Sequence, residues 1–234
     1  MRPPKRLIVA LDVPTRAAAV ALANELRDHV AMVKVGLEAF VAHGADLVRE
    51  LRGAGLEVFL DLKLHDIPRT VAAACRAVAA LDARLVTVHA QGGGPMITAA
   101  RDALPTTTKV IAVTALTSLD DAIVSRLGVA MSLGAWVHVL AGEALAAGAD
   151  GVVTSAHELM LLGDLGGLRI VPGVRSGREP VGDQRRVATA YDAVQRGADY
   201  VVVGRPIIEA PRPADAAAAL AVEIASAEEV RHAR

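Results

Sequence analysis

Eight short runs of valine, isoleucine and leucine recur along the chain, separated by alanine-rich stretches with apolar residues three and four apart. The runs cover 6–12, 32–36, 57–64, 84–90, 109–116, 151–155, 168–174 and 200–204. Each is nearly continuous in apolar residues, which is the pattern of parallel strands covered on both faces. The first five begin about 25–27 residues apart, the length of a repeated strand–helix unit. Between them the helix signals are local. Thr15 caps a helix reaching about His29, with Ala19, Leu22, Ala23 and Leu26 on one face. Gly53 and Gly55 end the second helix. The stretch 117–150 predicts two helices broken near 128–134, and the sixth unit, 158–162, holds little more than one turn. A last helix runs from about Ala214 to Val230.

Eight βα units in 234 residues predict an α/β fold, a (β/α)8 TIM barrel forming a single domain over 1–234. An open doubly wound sheet is the competing architecture. It usually has fewer strands and a glycine-rich loop after the first, whereas here Asp12-Val13-Pro14-Thr15 follows. The Gly- and Pro-containing segment 175–183 precedes a further strand, so it reads as a mobile loop over the barrel mouth and not as a linker.

Composition narrows the partners. A 53% hydrophobic fraction implies a sizeable core, and a net charge of -1 offers no electrostatic footprint for nucleic acid or an anionic membrane. Aromatic residues make up 2%, too few for platforms that stack exposed bases. The single Cys75, in Val71-Ala72-Ala73-Ala74-Cys75, reads as a buried inert thiol. Leu7 to Leu11 is too short for a signal peptide, and eighteen uninterrupted apolar residues occur nowhere in the sequence. The expectation is a soluble cytoplasmic protein.

In barrels of this kind the chemistry sits at the carboxyl ends of the strands. The residues there are Asp12, Lys34, Asp61 with Lys63, His89, Thr114, Ser155, Arg175 and Gly204-Arg205. Asp61-Leu62-Lys63-Leu64-His65-Asp66-Ile67-Pro68 concentrates ionisable groups after the greasy Val58-Phe59-Leu60. Asp61 and Lys63 are two apart and project together, and Pro68 opens the next helix. Lys34, within Val33-Lys34-Val35, needs anionic neighbours if it faces inward. These residues predict a network of alternating sign, Lys34, Asp61, Lys63 and Asp66, in which Lys63 is an ammonium placed to donate a proton. At an effective dielectric near 20 each close pair is worth roughly 4 kcal/mol before desolvation.

A second cluster follows strands seven and eight, where this fold usually seats phosphate. Gly204 permits close backbone approach, Arg205 supplies charged donors, and Pro206 opens a short helix. Gln184, in the preceding loop, reaches over the same ligand, so a phosphorylated small molecule is expected. No metal is expected: histidines at ligand spacing are lacking, and Lys34 and Lys63 repel a divalent ion. His65 is expected to point away from Asp61 and Lys63.

Together these residues resemble the orotidine 5'-phosphate decarboxylase family. The matching segments are Leu11-Asp12-Val13-Pro14, Val33-Lys34-Val35-Gly36, Asp61 through Thr70, Val88-His89-Ala90 and Leu116-Thr117-Ser118. They continue with Pro172-Gly173-Val174-Arg175, Gly182-Asp183-Gln184-Arg185-Arg186 and Val203-Gly204-Arg205-Pro206-Ile207, in the family's order. The resemblance implies decarboxylation of orotidine 5'-phosphate to uridine 5'-phosphate in pyrimidine synthesis, with no cofactor and no metal. It implies a homodimer with shared active sites, in which Asp66, Ile67 and Thr70 reach the partner's pocket. Lys63 matches the proton donor to C6, and Asp61 the carboxylate beside the departing CO2. Asp12 and Lys34 match ribose-binding residues, Thr117 a pyrimidine contact, and Arg175, Gln184, Gly204 and Arg205 the phosphate end. One departure is Gln91-Gly92-Gly93-Gly94-Pro95, glycine-rich where more side chains are expected.

Two rival readings differ in chemistry. A Mg²⁺-dependent sugar-phosphate lyase of related barrels has an acidic residue where Lys34 stands. A non-catalytic phosphate-binding barrel would keep ligand affinity without turnover.

Overall fold

The computed structural model describes residues 5–174 and 188–232. Eight parallel strands pair in chain order, and β8 closes on β1. They are β1 (Leu7–Ala10), β2 (Met32–Gly36), β3 (Val58–Leu64), β4 (Leu85–His89), β5 (Lys109–Val113), β6 (Gly151–Val153), β7 (Leu168–Pro172) and β8 (Tyr200–Val203). The closed (β/α)8 barrel is the architecture that the eight apolar runs predict.

The helices are α1 (Arg16–Leu26), α2 (Leu37–Gly53), α3 (Pro68–Ala79), α4 (Gly93–Asp102), α5 (Asp121–Arg126), α6 (Leu133–Ala146), α7 (Ala190–Gln195), α8 (Arg205–Ile208) and α9 (Pro213–His232). Thr15 accepts from the Ala18 amide as the cap of α1. The stretch after β5 does hold two helices, capped by Asp120 and Ser132. The sixth unit is a short 3₁₀ turn, Leu159–Leu162. The departure at 91–95 is accommodated by a 3₁₀ turn, Ala90–Gly92, and the start of α4. Among the described residues no helix is long and apolar enough to cross a membrane.

Strand alternation sorts the apolar side chains into two cores. Ile8, Ala10, Met32, Phe59, Leu85, Ile111, Ile170 and Val202 fill the barrel. The intervening positions, including Val9, Val33, Val35, Leu60, Val86 and Val88, pack outward against helix residues such as Ala19, Ala23, Leu26, Leu47 and Leu51. Phe59 is the largest of the fully buried side chains, and its burial contributes about 2–3 kcal/mol. Gly151 is required by proximity: a Cβ there would lie 2.4 Å from the Leu168 carbonyl oxygen. Cys75 is buried in the outer core, and burial pushes its thiol up to about 11, consistent with an inert role.

At the amino ends of β5 and β6, Asp150 ties three segments together. Its carboxylate accepts from Lys109 Nζ at 2.8 Å, Arg101 Nη1 at 2.8 Å and the Val110 amide at 2.9 Å. This polar clasp lies at the foot of the barrel, away from the carboxyl ends of the strands.

Candidate active site

The same alternation that fills the barrel places the charges above it. Asp12, Lys34 and Asp61 lie two residues beyond the interior Ala10, Met32 and Phe59. Parallel pairing aligns them, with Ala10 opposite Lys34, Lys34 opposite Phe59, and Gly36 opposite Asp61. They line a cavity of about 560 Å³ at the barrel mouth, within the usual range for small-molecule sites. Lys63, Thr117, Gly204 and Arg205 line it too, with apolar Val113, Val153, Ile170 and Val202 at its base.

The charges form a chain. Lys34 Nζ lies 3.8 Å from Asp12 Oδ1 and 3.5 Å from Asp61 Oδ2, and Lys63 Nζ lies 2.7 Å from the same Asp61 oxygen. Burial pushes the Asp61 carboxyl up, but the Lys34 and Lys63 ammoniums and hydrogen bonds from Lys63 and Thr87 outweigh it, holding Asp61 below its usual range. Gly36 makes room for this arrangement, because a Cβ there would stand 2.8 Å from Lys34 Nζ and 3.3 Å from Asp12 Oδ1.

Lys63 occupies a left-handed backbone conformation, φ 50°, which costs a non-glycine residue about 1–3 kcal/mol. The register between β3 and β4 shifts between Leu60 and Leu64, so this strain sits in an irregularity of the strand. The Lys63 amide donates to Thr87 Oγ1 at 2.8 Å, and the Thr87 hydroxyl donates to Asp61 Oδ1 at 3.0 Å.

The sequence-predicted residues separate into groups. Asp12, Lys34, Asp61, Lys63, Thr117, Gly204 and Arg205 converge on the cavity. Asp66 does not join the predicted alternating network within the chain; Asp12 takes the fourth place instead. The strand has ended at Leu64, and the exposed Asp66 carboxylate accepts from the Ile67 amide at 2.6 Å. Ile67, the N-cap of α3 and 62% exposed, and Thr70, in the first turn of α3, likewise face outward. Arg175 and Gln184, with the loop expected at 175–183, lie outside the described residues.

Two strand-end polar residues serve the scaffold. Thr114 is buried and donates to the Val153 carbonyl oxygen, while the Ser155 hydroxyl and amide both donate to the Glu158 carboxylate three residues on. His89 carries its ring 5.3 Å from that of the exposed His65, and burial, His65 and Lys63 push its pKa down against the opposing pull of Asp61. Neither histidine lines the cavity. Sequence reasoning did not single out Thr87 or the acidic lining residues Glu38 and Glu209. Thr87 carried a signal, being a hydroxyl at an inward position of an otherwise apolar strand.

The sequence profile of the Orotidine 5'-phosphate decarboxylase / HUMPS family matches residues 5–220. The chain belongs to this family. It is 50% identical to "Orotidine 5'-phosphate decarboxylase" of Halorhodospira halophila over 96% of this chain and 98% of that protein. It is 49% identical to the protein of that name from Anaeromyxobacter sp., over 94% of this chain and 99% of that protein. Among solved structures, orotidine 5'-phosphate decarboxylase from Lactobacillus acidophilus superposes with TM-score 0.83 at 36% identity, covering 94% of this chain and 99% of that one. These relatives bear the name of a carboxy-lyase, and that is the enzyme class of this chain.

Proposed function

We propose that this protein converts orotidine 5'-phosphate to uridine 5'-phosphate and CO2 in the cytoplasm, without metal or organic cofactor. The observation that carries the reading is the Lys63 ammonium, held 2.7 Å from Asp61 at the mouth of the cavity. Cleavage of the bond from C6 to the carboxylate leaves an electron pair on C6. An ammonium stabilises that developing charge more than it stabilises the ground-state ring carbon, which is what lowers a barrier. Lys63 then gives its proton to C6 and is reprotonated from water. The Asp61 carboxylate, facing the substrate's own carboxylate, adds repulsion that is relieved as CO2 departs.

The remaining residues take binding roles. Asp12 and Lys34 hold the ribose hydroxyls, Thr117 contacts the pyrimidine, and Gly204 and Arg205 receive the phosphate together with Arg175 and Gln184. Binding energy from the phosphate, remote from the reacting carbon, positions C6 against Lys63. Each cavity lysine lies within 4 Å of a carboxylate, so Asp12 and Asp61 already have ammonium partners, which supports the metal-free reading.

The site is completed by a second copy of the chain. Asp66, Ile67 and Thr70 project outward past the end of β3, and the apolar Leu37 and Val41 at the start of α2 are 52% and 83% exposed. A homodimer covers these residues and brings the partner's Asp66 toward Lys63.

The deciding experiment follows the loss of orotidine 5'-phosphate absorbance with purified protein in a chelator. Undiminished turnover is expected. Loss of turnover on chelation would favour the Mg²⁺-dependent lyase, and binding of uridine 5'-phosphate without any turnover would favour the non-catalytic barrel.

A further inference from the structure

Resting on the decarboxylase reading, we infer that Thr87 is a positioning residue for the Asp61–Lys63 pair. Thr87 lies in β4 and is fully buried; it does not line the cavity, so it acts only through its neighbours. Its hydroxyl has a single proton and two acceptor lone pairs. The proton goes to Asp61 Oδ1 at 3.0 Å, and a lone pair receives the Lys63 amide at 2.8 Å. One side chain of the adjacent strand thus grips both ends of Asp61-Leu62-Lys63.

The two bonds do different things. The bond to Oδ1 fixes the rotation of the carboxylate, leaving Oδ2 to face Lys63 Nζ at 2.7 Å and Lys34 Nζ at 3.5 Å. The bond from the Lys63 amide holds the residue whose backbone is turned to φ 50°. The β3–β4 register is interrupted between Leu60 and Leu64, so the hydroxyl takes the place of a ladder partner for this amide. Without the hydroxyl, Lys63 loses an anchor for its unusual backbone geometry. Asp61 at the same time loses one of the hydrogen bonds that hold its pKa down.

The test compares Thr87→Val, which keeps the shape and removes the hydroxyl, with Thr87→Ser, which keeps the hydroxyl and removes the methyl. Thr87→Val is expected to lower kcat about 10- to 100-fold, the scale of a small misplacement of a reacting group. KM for orotidine 5'-phosphate should stay within about threefold, since the substrate-contacting residues remain. The acid limb of kcat/KM moves to higher pH, because Asp61 is then easier to protonate. Thr87→Ser should recover kcat to within about threefold of wild type, and its acid limb should return. Should Thr87→Val fail to fold by circular dichroism, Thr87→Cys, of similar volume and a much weaker donor, replaces it under the same criteria. A folded variant lacking the hydroxyl with wild-type kcat and acid limb overturns the inference. So does a Thr87→Ser enzyme impaired as severely as that variant, which would assign the effect to packing of the methyl. A wild-type protein that leaves orotidine 5'-phosphate intact would instead overturn the decarboxylase reading itself, and this role with it.

Discussion

Lys63 Nζ and Asp61 Oδ2 are 2.7 Å apart, and the same oxygen also faces Lys34 at 3.5 Å. Removing the Lys63 ammonium leaves Lys34 to neutralise Asp61, so the scaffold and the nucleotide-binding surface persist while the proton donor is gone. Lys63→Ala is expected to lose at least about 10³-fold in kcat, within the range for a missing acid–base group combined with lost electrostatic stabilisation. Binding of uridine 5'-phosphate, measured by calorimetry, should remain. A rate near wild type would remove Lys63 from the chemistry.

Asp66 and Lys63 are close in sequence but turn to different surroundings, one exposed and one in the cavity. If the dimer shares its sites, Asp66→Asn and Lys63→Ala proteins, each nearly inactive, regain up to about a quarter of wild-type activity when mixed, by statistical formation of mixed dimers. Mass spectrometry of isotopically labelled subunits shows whether exchange has occurred. Exchange without recovered activity would place Asp66 outside the partner's pocket.

Gly36 tests the space around Lys34. A methyl there would come 2.8 Å from Lys34 Nζ and must displace the ammonium from between Asp12 and Asp61. Gly36 has φ -88°, so alanine brings no backbone strain and the protein should melt within a few degrees of wild type. Turnover should nevertheless fall about tenfold or more, because a shift near 1 Å at a site can cost about 10²-fold. Equal kinetics would mean that the Lys34 position is not critical.

Asp150 predicts the opposite separation, stability without catalysis. Burial pushes its carboxyl up, but hydrogen bonds from Lys109 and the Val110 amide, the Lys109 charge and Arg101 hold it below the usual range. Asp150→Asn should cost about 2–3 kcal/mol at pH 7, since these are hydrogen bonds to a charged acceptor. A carboxyl whose pKa is lower in the folded than the unfolded chain contributes fully above the unfolded value, about 4. That contribution is lost as pH falls through the folded value. Urea denaturation should therefore show the gap between wild type and variant intact at neutral pH and narrowing below about pH 4. A gap unchanged across that range would contradict the charge-based account.

The barrel was legible because its strands are buried on both faces, which writes each one as an unbroken apolar run. Asp12, Lys34, Asp61 and Lys63 were legible because charges at the end of such runs have few tolerable places to go. Asp66 misled in part: proximity in sequence suggested one network, but the strand ends at Leu64 and the chain turns outward before Asp66. His65 would share the side of Asp61 and Lys63 if the strand continued, and it stands outside the cavity because the strand ends at Leu64. Thr114 and Ser155 looked like site residues because they end strands, yet the Val153 carbonyl and the Glu158 carboxylate satisfy them. Thr87 was legible only as a hydroxyl in an apolar strand; its partners depend on a register shift between strands, which no single run of sequence encodes.

The left-handed backbone at Lys63 sets two kinds of fitness against each other. Glycine would relax that residue and remove the ammonium in a single change. Selection for heat tolerance alone would thus favour a calmer, blunter protein at this position, so libraries built for thermostability should keep codon 63 fixed.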